Sequence, residues 1–173
     1  HLGGGLGVRF KMRVAPCDDS LQLQSEEGED VGHFDHVIVS APAEQAAALI
    51  PPEHALQQNL QQVRMRPCFA VMLQLRSPLD VTWDGAFVHD SLLSWVAKNG
   101  AKPGREGNTW VLHATADWTA DHFEQDKEEV QTQMVEAFFE AAGVRGELAF
   151  ATCHRWRYAI VSEALTAGCL AEP

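Results

Sequence analysis

The chain has little positive charge. Its 173 residues include 13 Lys and Arg against 24 Asp and Glu, which gives a formal net charge of −11 at pH 7. Nucleic-acid binding depends on neutralising phosphates with cations, and an anionic membrane surface attracts the same basic residues. We therefore expect neither nucleic acid nor a membrane as a partner.

Long apolar runs are also absent. No stretch approaches the roughly 20 apolar residues that a membrane-spanning helix needs. The first residues do not show the charged and then apolar layout of a secretory signal, so we expect a cytoplasmic protein. With 46% hydrophobic and 21% charged residues, the composition is that of a globular domain with one sizeable core.

Three motifs of common active sites are missing. The four cysteines form no C-x-x-C pair, so we interpret them as buried thiols and predict no metal site. No serine lies in a G-x-S-x-G motif, which argues against a serine hydrolase. The glycines at positions 3–7 lack the G-x-G-x-x-G spacing, so this sequence contains no standard dinucleotide cradle.

The first part of the sequence predicts strands and two short helices. Val8 to Val14 alternates apolar and basic residues, which is typical of a half-buried strand, and we expect it to pair with Leu21 to Gln24. The apolar end of Phe34 to Ser40 predicts a strand buried on both faces. A proline then opens a helix from Ala43 to Leu49, and a second helix is expected from Glu53 to Val63.

The rest of the sequence predicts a sheet and one long helix. Cys68 to Leu75 indicates a core strand, and further strands are expected at Gly85 to His89, Trp110 to Thr115 and Leu148 to Tyr158. Apolar residues at helical spacing predict a helix from Lys127 to Ala142, which a glycine ends. We predict a single α+β domain with a mostly antiparallel sheet and flanking helices.

Three features inside these elements carry polar or aromatic groups. His113 shares a strand face with Val111 and Thr115, and it is either a structural histidine or a pocket residue. In His154 to Tyr158 two arginines alternate with three rings, which either form a core face or stack on a planar heterocycle. The basic loop Lys98 to Arg105 is either solvated or binds an anion.

Several of these motifs occur together in one known family. Phe34 to Pro42 resembles the strand and A-P turn that re-enter the dinucleotide-binding half of flavin-containing amine oxidases. The more specific motifs are similar to bacterial renalase-like proteins of that family: Ser94 to Asn99 with Lys102 to Arg105, Trp110 to Thr119, and His154 to Ala159. The resemblance runs from about Val8 to Pro173.

The resemblance implies a fold like that of p-hydroxybenzoate hydroxylase, in which the antiparallel sheet covers the isoalloxazine ring of FAD and forms the substrate pocket. It also implies an oxidoreductase in which a hydride passes from a dihydronicotinamide or amine substrate to the flavin, and oxygen is reduced to hydrogen peroxide. The small-molecule substrate would bind on the side of the flavin that this chain covers.

Family members are longer and have a Rossmann half that bears the glycine fingerprint. The resemblance therefore implies that residues 1–173 form a substrate-side domain that is incomplete and inactive alone. Residues 34–63 and 159–173 would be edges that contact the missing FAD-binding half, in cis or in trans.

Candidate site residues come from the same motifs. His113 would orient the substrate and Trp156 would form a stacking wall. Two arginines before the core strand are candidates to bind a substrate phosphate or carboxylate, or are solvated at a strand edge. The candidates are His113 and Trp156 as catalytic residues, and Arg64, Arg66, Thr115 and Tyr158 as substrate-binding residues.

Two other hypotheses remain open. The chain is then either a stand-alone ligand-binding module without a cofactor, or a degenerate remnant whose exposed apolar surface favours a homodimer. Tight FAD binding needs phosphate contacts that this sequence does not contain. We therefore expect the isolated chain to be colourless.

Overall fold

A computed structural model describes residues 5, 7–18, 20–163, 165–166 and 169–171. The sequence predicts one domain, whereas the structure divides into two compact units. The first consists of His1–Arg64 with Ser162–Pro173, and the second of Met65–Val161.

The first unit contains a hairpin and two short helices. Strand β1 (Gln22–Gln24) pairs in antiparallel fashion with β2 (Asp30–His33). Helix α1 (Ala43–Ala47) follows Pro42, which occupies its N-cap as the sequence predicts. Helix α2 (Leu56–Gln62) is also shorter than predicted. Both helices lie at their predicted positions, because proline and polar residues mark their ends locally.

Two strands predicted for this unit are not found. Val8 to Val14 forms only a single antiparallel bridge, between Val14 and Ser25. Phe34 to Ser40 is irregular, and Ile38 is 91% exposed. Both segments have the composition of a strand, but within the described residues no neighbouring strand pairs with them. A strand needs such a partner to satisfy its backbone groups.

The second unit is built on a five-stranded antiparallel sheet. Its strands are β3 (Met65–Leu75), β4 (Gly85–Phe87), β5 (Leu93–Lys98), β6 (Thr109–Ala114) and β7 (Leu148–Val161). Their spatial order is β4-β5-β6-β3-β7, and every neighbouring pair is antiparallel. The predicted antiparallel sheet is therefore confirmed, with β5 as an additional strand that the sequence did not indicate.

Two helices flank this sheet. Helix α3 (Ala116–Asp121) follows β6, and α4 (Lys127–Ala142) has the predicted bounds. The Asp126 side chain accepts hydrogen bonds from two backbone N–H groups at the start of α4. Gly143 ends the helix with φ of 67°, a left-handed conformation that favours glycine.

The two faces of the sheet differ. Helix α4 contacts β3, β5, β6 and β7, and α3 contacts β3. Residues of the covered face form the core together with one stripe of α4: Phe69, Val71, Leu73, Trp110, Leu112, Val130, Met134 and Phe138. On β6 the buried Trp110, Leu112 and Ala114 alternate with half-buried residues, so the predicted parity is confirmed. We call the opposite side, which carries Val111 and His113, the open face.

Candidate functional site

One row of side chains crosses all five strands on the open face. Directly opposed residues of antiparallel strands share a face. Phe87 pairs with Trp95, Trp95 with His113, His113 with Ala70, and Ala70 with His154. The ring centroids of Phe87 and Trp95 are 4.7 Å apart. The row therefore places a histidine at the centre of the sheet, with aromatic rings to one side and a small alanine to the other.

A cavity of about 300 Å³ lies beside this histidine. Strands β3, β5, β6 and β7 supply its lining, which includes Cys68, Ser94, His113, Trp156, Tyr158 and Ile160. Trp156 is the cross-strand partner of Cys68, and its ring centroid lies 4.3 Å from that of His154. The structure thus brings together three of the predicted site residues, namely His113, Trp156 and Tyr158.

Two groups of the cavity, His113 and Cys68, favour their uncharged forms. Burial lowers the pKa of His113, and the positive charge of Lys102 lowers it further. A neutral imidazole offers one donor and one acceptor nitrogen. Burial raises the pKa of the Cys68 thiol, which donates to the carbonyl oxygen of Ala114 at 3.6 Å. This arrangement can orient a ligand by hydrogen bonds without placing a formal charge against it.

The two sides of β7 have distinct roles. The rings of Trp156 and Tyr158 line the cavity, whereas Arg155 and Arg157 stack on Phe123, with guanidinium carbons 5.0 and 4.5 Å from its ring centroid. Trp156 is 52% exposed and the Arg155 side chain only 26%. The interpretation of the rings as a core face is therefore wrong, because His154 and Trp156 are exposed. The arginines contact Phe123 on the other side of the strand, with Arg155 half-buried and Arg157 exposed.

Thr115 and Arg66 are engaged in other contacts. Thr115 is the N-cap of α3, and its hydroxyl accepts a hydrogen bond from the backbone N–H of Trp118 at 3.3 Å. Arg66 forms an ion pair with Asp117. Neither residue lines the 300 Å³ cavity, and their substrate-binding roles stay predictions.

Arg64 belongs to the first unit. Its guanidinium donates to the backbone carbonyl oxygens of Gln61 and Val63. These contacts hold it at the end of α2, and its role toward a substrate also stays a prediction.

Four residues of the cavity lining are not among the predicted site residues: Cys68, Ser94, Ala159 and Ile160. The sequence indicates only a buried thiol at Cys68, and it marks Ser94 as the start of a family motif without a role in the site. The Ser94 hydroxyl donates to the carbonyl oxygens of His113 and Ala114 at 3.3 and 3.1 Å. A register shift between Leu93 and Trp95 lies at this point of the β5–β6 pairing. Such a bulge redirects side chains, and nothing in the local sequence signalled it.

A second cavity of about 410 Å³ lies at the edge strand β4, lined by apolar residues and by His89, Asp90 and Glu140. It contains none of the predicted site residues.

Within the described part of the chain no helix is long and apolar enough to cross a membrane. The same residues include no group of three or more His, Cys, Asp or Glu arranged to hold a metal ion.

The second unit has an antiparallel sheet, helices on one of its faces and a cavity on the open face. These features define the class of protein, a domain with the flavin amine oxidase fold. The family model described as "Flavin containing amine oxidoreductase" matches residues 5–168. The chain belongs to this family of flavin-containing oxidoreductases.

Solved structures show the same fold at low sequence identity. A protein assigned as a protoporphyrinogen oxidase from Exiguobacterium sp. 255-15 matches with a TM-score of 0.66 and 14% identity over 88% of this chain and 36% of its own. A putrescine oxidase variant matches with a TM-score of 0.64 and 15% identity, over 82% of this chain and 33% of the oxidase. Reduced UDP-galactopyranose mutase matches with a TM-score of 0.60 and 10% identity, over 86% of this chain and 34% of the mutase. The chain spans about a third of the length of these proteins.

Proposed function

We propose that this chain forms the substrate side of an FAD-dependent oxidoreductase of the renalase or amine oxidase type. In the proposed reaction a hydride passes from a dihydronicotinamide or amine substrate to the flavin, and oxygen is reduced to hydrogen peroxide. The observation that carries the proposal is the cavity of His113, Trp156 and Tyr158 on an open sheet face, in a chain of the flavin amine oxidoreductase family.

The open face fits a planar ring system. Phe87, Met72 and Trp156 are exposed on it, and apolar groups gathered in this way mark a surface that another molecule covers. A bound flavin would supply the two-electron chemistry, as the acceptor of the hydride and the source of electrons for oxygen. The residues of this chain are left with binding, orientation and the exclusion of water.

Each cavity residue has a role that follows from its contacts. The uncharged imidazole of His113 orients a polar group of the substrate through one hydrogen bond. The half-exposed ring of Trp156 stacks on the substrate and limits its movement. The buried Cys68 and the side chain of Ile160 supply apolar lining to the cavity. Hydride transfer depends on placement of donor and acceptor more than on proton transfer.

The phosphates of FAD require a different part of the protein. The sequence contains no G-x-G-x-x-G motif, and we propose that an FAD-binding half, in cis or in trans, supplies these contacts. Residues 34–63 and 159–173 are the proposed edges that meet it.

The test replaces Trp156 with Ala in a flavin-loaded protein that joins this chain to an FAD-binding half. Reduction of the flavin by a dihydronicotinamide or an amine, followed anaerobically, should slow by up to about tenfold, since an aromatic pair contributes about 0.5–1.5 kcal/mol beyond buried area. The flavin should remain bound. Phe150→Ala is the matched control, because Phe150 is a ring of the same strand face, 58% exposed, outside the cavity lining.

Two results would count against the proposal. Equal rates of flavin reduction in Trp156→Ala and wild type would show that this ring does not place the substrate. If neither substrate class reduces the flavin of the wild type, the chain is better described as a ligand-binding module without oxidase activity.

A further inference from the structure

The cavity of about 410 Å³ lies where the last two turns of α4 pass strands β4 and β5. The inner part of its lining is apolar and buried, since Val96 is 1% and Ala137 8% exposed. None of its lining residues lines the His113 cavity. Pockets that hold small molecules have volumes of about 300–1,000 Å³ and an apolar lining with a few polar groups. The size and the lining therefore fit a small organic molecule.

Two aromatic side chains line this cavity. Trp83 packs edge-on against the buried Trp110, with ring centroids 5.3 Å apart and an interplanar angle of 75°. Phe87 is 76% exposed, and its ring centroid lies 4.7 Å from that of Trp95. Neighbouring rings thus limit the movement of both side chains. The face of an aromatic ring attracts a cation within about 6 Å, and tryptophan attracts it most strongly.

Two elements bring negative charge to the lining. Asp90 belongs to the loop between β4 and β5, and Glu140 to the last turn of α4. His89 and Ser91 are the other polar residues of the lining, and among the described residues that form it none is a lysine or an arginine. The ion pairs within the described chain include neither Asp90 nor Glu140. Both carboxylates are therefore available to a cation from outside the chain.

The end of α4 adds to this negative charge. The C-terminus of a helix carries a partial negative charge and favours cations, whereas the last turn of α4 contains Glu140 and no basic residue. Arg145, which follows the helix, pairs with Glu136 at 2.6 Å. The raised pKa of Arg145 owes most to that hydrogen bond and least to the charge of Glu140. A positive group beside Glu140 would therefore improve the electrostatics of this helix end.

We propose that the cavity beside β4 is a second binding site and that it takes a small organic cation, a protonated amine on an apolar or aromatic body. The body fills the apolar lining against Trp83, and the ammonium group faces Asp90 and Glu140. The site is independent of the proposed oxidase, because it shares no residue with the His113 cavity. The net charge of −11 attracts such a cation to the protein over a longer range.

The test follows the indole N–H signals of the full chain by NMR while 2-phenylethylamine is added. Its neutral counterpart, 2-phenylethanol, has the same ring and no charge. Trp83→Phe and Trp156→Phe assign one tryptophan signal in each cavity. Asp90→Asn and Glu140→Gln each remove a negative charge, and Glu128→Gln removes the same charge in the first turn of α4, outside the lining. Asparagine tolerates the left-handed backbone of Asp90, whose φ is 53°, so this variant should fold.

The amine should shift the Trp83 signal saturably in the wild type and in Glu128→Gln, and should bind about threefold more tightly than the alcohol. Asp90→Asn and Glu140→Gln should each weaken the apparent affinity by about two- to fivefold, the range of an exposed ion pair. The double variant should weaken it further. Ala141→Trp should abolish the shift, because Ala141 is an exposed lining residue of α4 and a large ring there fills the cavity.

A Trp83 signal that the amine does not move, or equal affinities for the amine and the alcohol, would overturn the site. So would an affinity that the double variant leaves unchanged. A shift confined to the Trp156 signal would place the amine in the His113 cavity and would overturn the site as well. The titration involves neither flavin nor turnover, so its outcome is separate from that of the proposed oxidase.

Discussion

Replacing Thr119 with Val tests how α3 is attached to strand β3 of the sheet. Thr119 is 0% exposed. Its hydroxyl accepts a hydrogen bond from the backbone N–H of Phe69 at 3.2 Å and donates to the carbonyl oxygen of Thr115 at 2.8 Å. Valine has nearly the same shape as threonine, so the substitution removes both hydrogen bonds and leaves the packing in place.

The two hydrogen bonds contribute unequally. The carbonyl oxygen of Thr115 also accepts from the backbone N–H of Thr119 at 3.0 Å, so it keeps one partner in the variant. The backbone N–H of Phe69, which is buried in the core, loses its only side-chain acceptor, the hydroxyl of Thr119. An unsatisfied buried group costs about 1–3 kcal/mol, and the second lost hydrogen bond adds about 0.5–1.5 kcal/mol. We expect the free energy of unfolding to fall by about 1.5–4.5 kcal/mol.

Urea unfolding followed by circular dichroism and tryptophan fluorescence measures this difference. The matched control is Thr132→Val, because the Thr132 hydroxyl also donates to a helix carbonyl oxygen, that of Glu128 at 2.9 Å, but is exposed. A surface change of this kind alters the free energy of unfolding by no more than about 0.5 kcal/mol. A loss for Thr119→Val of less than about 1 kcal/mol would refute the assignment of its hydroxyl as the partner of Phe69.

Two further predictions concern the site. Acidification below the ordinary histidine pKa of 6.5 should destabilise the wild type more than His113→Asn, because the unfolded chain takes up a proton that the folded imidazole, with its lowered pKa, resists. Melting temperatures of both proteins across about pH 5–7.5 check this, and parallel curves would contradict it. The purified chain mixed with FAD should elute from gel filtration without visible flavin absorbance, since it lacks a phosphate cradle. Flavin that stays with the chain would contradict the assignment of the phosphate contacts to another half.

Much of the second unit could be predicted because its signals are local. The bounds of Lys127–Ala142 follow from helical spacing, from the Asp126 cap and from the glycine at position 143. The alternation along Thr109–Ala114 correctly separated the side of Trp110 from the side of His113. Period-two and period-3.6 patterns depend only on neighbours in sequence, so contacts with the rest of the chain do not alter them.

The strands that failed show the limit of such patterns. Val8 to Val14 alternates well and Phe34 to Ser40 is strongly apolar, yet neither forms a strand in the described chain. Pairing depends on a partner segment that presents free hydrogen-bonding groups at the right place. In the hairpin, β1 takes Asp30–His33 as that partner, and no property of β1 alone selects it.

For the site, the amino-acid sequence by itself determined which residues carry rings, charges and imidazoles, and which of them share a side of one strand. Only the tertiary structure decided which side is covered. Helix α4 packs against the Trp110 side, and Phe123 receives the arginines of β7, which leaves Trp156 on the open face. These relations join residues far apart in the chain, and sheet register and packing set them through contacts that no local pattern contains.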